Sequence, residues 1–188
     1  MQDLLFHRIA DVIEFDVVPL TRKAVEIGSR VFGAAILRKN DLSLVLSATN
    51  HAVFSPLWHG EIYAIKQFFE LQGHPEPGEC LFIATHQPCC MCASALAWSG
   101  FREIYYLFDY TQTGKDFNMP DDRKMVLELF GASEPRPAND YFEWHCIKDV
   151  VPLLDDPAAA QQRISRLSAV YAELSAVCRA VEKQRRSM

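Results

Sequence analysis

The alternation of apolar and polar positions divides this chain into a series of short elements. Residues 4–13 repeat apolar side chains at helical spacing, and residues 17–29 do so again, closing near Gly28. Pro19 falls in the first turn of the second stretch, where a missing N–H is tolerated, so the pattern predicts two separate helices. Residues 31–37 form a nearly continuous apolar run, suited to a strand buried on both faces. Lys39-Asn40-Asp41 is turn chemistry, and residues 42–48 return as a second strand, which predicts a hairpin.

Residues 50–58 read as a loop and 60–72 as a helix, and the Gly/Pro-rich stretch 73–78 reads as a turn. A strand at 80–85 follows, then a small-residue helix at 90–99 closed by Gly100, and a strand at 103–108. The remainder reads as a helix at 121–130 ending at Gly131, a Pro-rich surface loop at 134–139, a fifth strand at 143–150 and a long amphipathic helix from Pro157. After the hairpin, strands alternate with helices, which predicts an α/β protein with its sheet covered on both faces. A chain of 188 residues is most simply one domain, 1–188, with an extra N-terminal helix at about 1–15 and a C-terminal helix at about 157–186.

Charge narrows the partners. Lys and Arg number 19 against 24 Asp and Glu, a net charge of −5. No basic stripe is visible, and the cluster Lys183-Gln184-Arg185-Arg186 reads as the solvated end of a helix. This argues against a large nucleic-acid partner. No apolar run is long enough to span a bilayer, and the N-terminus carries acids among its apolar residues without a basic head. The expectation is a cytoplasmic protein with no membrane partner.

Cysteine usage is where chemistry enters. Three of the six cysteines, Cys89, Cys90 and Cys92, crowd into four positions, which is poor geometry for disulfides and good geometry for a metal. Cys80, Cys146 and Cys178 lie in apolar surroundings and read as inert buried thiols. Pro88-Cys89-Cys90-Met91-Cys92 opens a predicted helix, so Cys89 and Cys92 share a face, and the positive end of the helix favours their thiolates. His59-Gly60-Glu61 opens another. Residues two apart converge only where the chain is still turning into its helix, and Gly60 permits a close backbone approach. One imidazole and two thiolates suit Zn2+, one ion per chain, with a fourth position open. Zinc would lower the pKa of water toward roughly 7, and Glu61, free of the metal, would move the proton.

The competing reading is a closed structural zinc site in a non-catalytic interaction module. It needs a fourth ligand from Cys90, His51, His86 or Cys146, and Cys90, adjacent to Cys89, should point elsewhere. Phe32, Phe54, Trp58 and Trp98 lie near the motifs and could stack on a planar base or serve as plain core. Asp109 and Asp116 could meet a substrate N–H or serve as a helix cap or turn residue. His7, His74 and His145 show no metal spacing.

The order H-x-E then P-C-x-x-C is the pattern of zinc-dependent deaminases. Over residues 17–108 the chain resembles the cytidine/deoxycytidylate deaminase-like superfamily, nearest the branch of guanine deaminases and tRNA adenosine deaminases. The matching pieces are Phe32-Gly33-Ala34, Asn50, Pro56 to Glu61, Thr85 to Cys92, and the helix running into Trp98-Ser99-Gly100. The resemblance implies a three-layer α/β/α fold with a mixed five-stranded sheet between helices. It also implies a homodimer and hydrolytic release of ammonia from a small amino-substituted heterocycle, a guanine-like purine by analogy, with tRNA adenosine as the alternative substrate. It casts His59, Cys89 and Cys92 as zinc ligands and Glu61 as the proton shuttle. Asn50 would hold the base edge and the Gly60 N–H a ring substituent. The family usually has Ala where Gly60 stands and often Glu where Gln87 stands, and the 50–59 loop is shorter here. Glycine for alanine should spare the metal and loosen the helix start.

Overall fold

A computed structural model describes residues 2–112, 121–131 and 136–186. Asp116 lies outside the described residues, as does part of the expected loop at 134–139. The chain opens with helix α1 (Gln2–Asp11), a π-helical stretch (Val12–Val17) and α2 (Val18–Glu26). These form one continuous path rather than two separate helices, because Asp11 and Val18 both keep right-handed helical backbone. The reason is Pro19. Its ring clashes with the carbonyl four residues back, and the chain absorbs it by widening the preceding turn. The Val18 N–H donates to Ile13 O, five residues away.

Five strands make one mixed sheet in the order β2-β1-β3-β4-β5. They are β1 (Gly33–Arg38), β2 (Leu44–Thr49), β3 (Cys80–His86), β4 (Glu103–Phe108) and β5 (Glu143–Cys146). The predicted β1–β2 hairpin is present and antiparallel, pairing Gly33 with Thr49. β1 also runs antiparallel to β3, whereas β3–β4 and β4–β5 are parallel. β5 stops four residues short of the expected 143–150, because the chain turns at 147–150, where Asp149 N–H bonds Cys146 O.

Alternation along β1 and β3 sorts the core into two layers. Ala34, Ile36 and Phe82 face one cluster with Phe68, Leu96 and Phe101. Phe68 lies on α3 (Gly60–Glu70) and Leu96 on α4 (Cys90–Trp98). Ala35, Leu37 and Ile83 face the other cluster, built with Ile9, Ile13, Val25, Leu167 and Tyr171. The last two belong to α6 (Pro157–Arg186), and α5 (Asp121–Phe130) packs beside α4. Helices therefore cover both faces, giving the three-layer α/β/α arrangement. Arg163 ties α6 to the first helical path, bonding Asp11 at 2.6 Å and Glu14 at 2.9 Å. Among the described residues no helix is long and apolar enough to cross a membrane.

Candidate metal centre

Two helix starts meet at the end of β3. His59 precedes α3 with extended backbone, φ −59° and ψ 159°, and Cys89 precedes α4 in the same manner, φ −64° and ψ 171°. Cys92 stands inside the first turn of α4 and is fully buried. The His59 Nδ1 atom lies 3.5 Å from each sulfur, and the sulfurs lie 3.6 Å apart. A tetrahedral zinc with arms of about 2.3 Å to sulfur and about 2.0–2.1 Å to nitrogen requires a nitrogen–sulfur edge of about 3.5–3.6 Å and a sulfur–sulfur edge of about 3.8 Å. The three donors already stand at that spacing, so they fit the ion.

None of the four alternative ligands joins this trio, the metal-donor cluster found among the described residues. The His51 ring stacks on Tyr63 at 4.0 Å, with its Nδ1 3.0 Å from Thr49 O. His86 is buried against Phe32, Phe108 and Tyr171, with Nδ1 2.9 Å from the Thr85 hydroxyl, and burial drives its pKa down to about 3. The Cys146 sulfur contacts Leu107 O. Cys90 lines a cavity of about 680 Å³ on another face of α4, with Ala93, Ser94 and Ala97.

Electrostatics at the trio follow from burial and crowding. Contact with Cys92 is the largest influence holding Cys89 down to about 4, so Cys89 is a thiolate at neutral pH. Burial pushes the Cys92 thiol well above its ordinary value. Glu61, 5% exposed, is raised to about 7, first by burial and then by the negative charge of Cys89. Its Oε2 has no hydrogen-bond partner among the described residues. A carboxylate poised near neutrality beside the donors suits proton transfer.

Of the residues expected to touch substrate, the structure brings Asn50, Phe32 and Gly60 together. Asn50 is fully buried, and its Oδ1 accepts the Arg30 and Ala52 N–H groups at 3.0 and 2.9 Å. This fixes the amide orientation and leaves Nδ2 buried without a partner among the described residues. Phe32 is half-buried and edge-on to His86, and its carbonyl accepts the Asn50 N–H at 2.8 Å. Gly60 abuts the same segment. Trp98 is not gathered in: it is 92% exposed at the end of α4 and lines the cavity that holds Cys90. Phe54 is exposed, Trp58 packs near Tyr63, and Asp109 accepts the Gln112 N–H, capping the helical residues that begin at Tyr110.

Gly60 corrects one expectation. A Cβ here would meet Phe32 O at 2.7 Å and Gly33 Cα at 3.1 Å, both backbone atoms. Glycine does not loosen this helix start; it lets α3 sit directly on β1. Gly60→Ala should therefore lower stability by about 1–3 kcal/mol through overpacking. That is several degrees of melting temperature at roughly 2–4 °C per kcal/mol, read by thermal unfolding.

Sequence reading missed Tyr110, which bonds the Gln87-Pro88 segment leading into Cys89. Its one available signal was position: it follows a strand whose carboxyl end opens beside β3, where crevices in such sheets form.

The fold and the donor trio define an α/β protein of the single-zinc class. Residues 16–108, just under half of the chain, match the cytidine and deoxycytidylate deaminase zinc-binding region. The guanine deaminase of Bacillus subtilis (strain 168) is 26% identical over 86 residues, 45% of this chain and 54% of that protein. A probable cytosine deaminase of Schizosaccharomyces pombe is 26% identical over 92 residues, 48% of this chain and 55% of that protein. The chain thus aligns with about half the length of the curated relatives it matches. Among solved structures, guanine deaminase from Nitrosomonas europaea superposes with TM-score 0.51 at 19% identity, covering 89% of this chain and 84% of that one. A tRNA:A34 deaminase superposes with TM-score 0.51 at 18% identity, covering 80% and 94%. At such identities these structures speak for the fold.

Proposed function

We propose that this chain is a zinc-dependent hydrolase that releases ammonia from a small amino-substituted heterocycle, a guanine-like purine in the first instance. The observation that carries the reading is the tetrahedrally spaced trio His59, Cys89 and Cys92, with the buried, unpartnered Glu61 oxygen beside it. Zinc held by the trio supplies a Lewis acid that makes water nucleophilic near neutral pH. Glu61 would carry one water proton to a ring nitrogen and then move the proton of the added hydroxyl to the departing amine. A C–O bond forms, the C–N bond breaks and ammonia leaves. The Asn50 Nδ2 donates to the edge of the ring, the Gly60 N–H meets a ring substituent, and Phe32 bounds the plane. Trp98 has no part in this site.

The net charge of −5 supports a small substrate over a tRNA adenosine. In the same reading the chain is one domain and acts as a cytoplasmic homodimer, the latter checked by light scattering. The decisive experiment is ammonia release across guanine, adenine, cytosine, their nucleosides and nucleotides, and aminated pterins and triazines. Bulk tRNA assayed for inosine forms a second arm. Turnover of a free purine supports the proposal; inosine in tRNA with no small-molecule turnover replaces the substrate, and inactivity in every arm with zinc bound removes the enzyme reading.

The pKa directions set the pH dependence of metal uptake. Cys89 is already a thiolate, whereas Cys92 keeps its proton until metal displaces it. Zinc binding between about pH 7.5 and 9 should release the Cys92 proton together with one from the water that zinc would acidify, so affinity should fall more than tenfold for each unit the pH drops. An indicator dye in weak buffer and chelator competition across that range measure both quantities.

A further inference from the structure

We propose that Tyr110 and Gln87 form a clamp that sets the Cys89 sulfur for metal binding, with Tyr110 the positioning residue. The inference rests on the zinc reading above and concerns how tightly the ion is held. Of the two α4 donors, Cys92 is placed by the helix itself, whereas Cys89 stands just outside it. Something else must fix Cys89.

β3 and β4 run parallel and end side by side, His86 opposite Phe108. The next residue, Gln87, donates its backbone N–H to Phe108 O at 2.7 Å. Its side-chain Oε1 accepts the Tyr110 N–H at 3.1 Å, and the Tyr110 hydroxyl donates to Pro88 O. Both side chains are buried, Tyr110 at 4% exposure and Gln87 at 8%. The Pro88 ring already locks its own φ. Holding the Pro88 carbonyl fixes the plane of the Pro88–Cys89 peptide, leaving the Cys89 sulfur little freedom to leave its place in the trio. The clamp is braced from the turn after β5: Asp109 accepts the Gln112 N–H at 2.9 Å and faces Lys148 Nζ at 3.7 Å, and Lys148 also bonds the Gln112 side chain. Three consecutive parallel strand ends thus support one ligand. Outer partners that orient metal ligands typically carry 10–100-fold in affinity.

The test is zinc affinity of the full chain by chelator competition, beside the charge-transfer spectrum of the cobalt-substituted protein. Tyr110→Phe removes only the hydroxyl. It should weaken zinc about 10–100-fold and shift the thiolate-to-cobalt band. Tyr105→Phe, whose hydroxyl bonds Glu103 elsewhere on β4, should keep wild-type affinity. If Tyr110→Phe loses thermal stability yet holds zinc as the wild type does, the clamp is merely structural and the inference is overturned. Should Tyr110→Phe fail to fold, Gln87→Met removes the acceptor of the same clamp: weakened zinc supports the inference and unchanged affinity overturns it. A wild type that takes up no zinc overturns the metal reading and this inference together, so the two failures are distinguishable.

Discussion

Glu61→Gln should bind zinc at about one equivalent per chain and lose about 10²–10⁴-fold in ammonia release. The side chain is nearly isosteric, so the start of α3 and the donor trio stay in place. What disappears is the capacity to accept and return a proton. Glu61 is suited to that task by its surroundings: burial and the adjacent Cys89 thiolate lift it to about 7, where gaining and losing a proton are nearly balanced at neutral pH. It is not one of the three clustered donors, so metal content and turnover should separate. Metal analysis beside steady-state ammonia release on the best substrate of the wild type measures both. Normal turnover in Glu61→Gln removes this residue from the chemistry; loss of zinc along with turnover gives it a ligand's role instead.

Cys92→Ala should abolish both zinc retention and activity. Cys92 is the deepest donor, fully buried at the first turn of α4. Structural four-ligand zinc sites supply about 10–16 kcal/mol, or about 2.5–4 kcal/mol per donor, so losing one donor should weaken zinc by roughly 10²–10³-fold. Alanine occupies less volume than the thiol and leaves no polar atom buried, so the metal-free chain should still fold. The signature is thermal: zinc should raise the melting temperature of the wild type by mass action and leave that of Cys92→Ala unmoved. If Cys92→Ala retains stoichiometric zinc under chelator challenge, the assigned donor set is wrong.

Local pattern revealed most of the elements. β4 and α5 begin and end where periodicity put them. The errors share a cause. The π-helical stretch before Pro19 and the early end of β5 are local backbone adjustments, one to a proline and one to a turn at 147–150. Neither changes the hydrophobic period, so neither is visible in it. The metal donors were legible because each motif sits at a helix start, where a spacing of two or three residues already constrains direction. Trp98 misled because nearness in sequence to Cys92 says nothing about which face of α4 it occupies; it ends on the cavity side, with Ala97.

The sequence by itself determined the donor types, their helix-start placement and the apolar rhythm of the sheet and its covering helices. All of these depend on neighbours within a few residues. The tertiary structure alone decided that His59 stands 3.5 Å from two sulfurs some thirty positions on, that Asn50 is left with a buried unpaired amide, and that Gly60 lies against the Phe32 backbone. It also decided that Tyr110 reaches back to Pro88. Each of these is an approach between segments far apart in the chain. Such approaches are set by strand order and by how closely two backbones pack, which no short window of residues encodes.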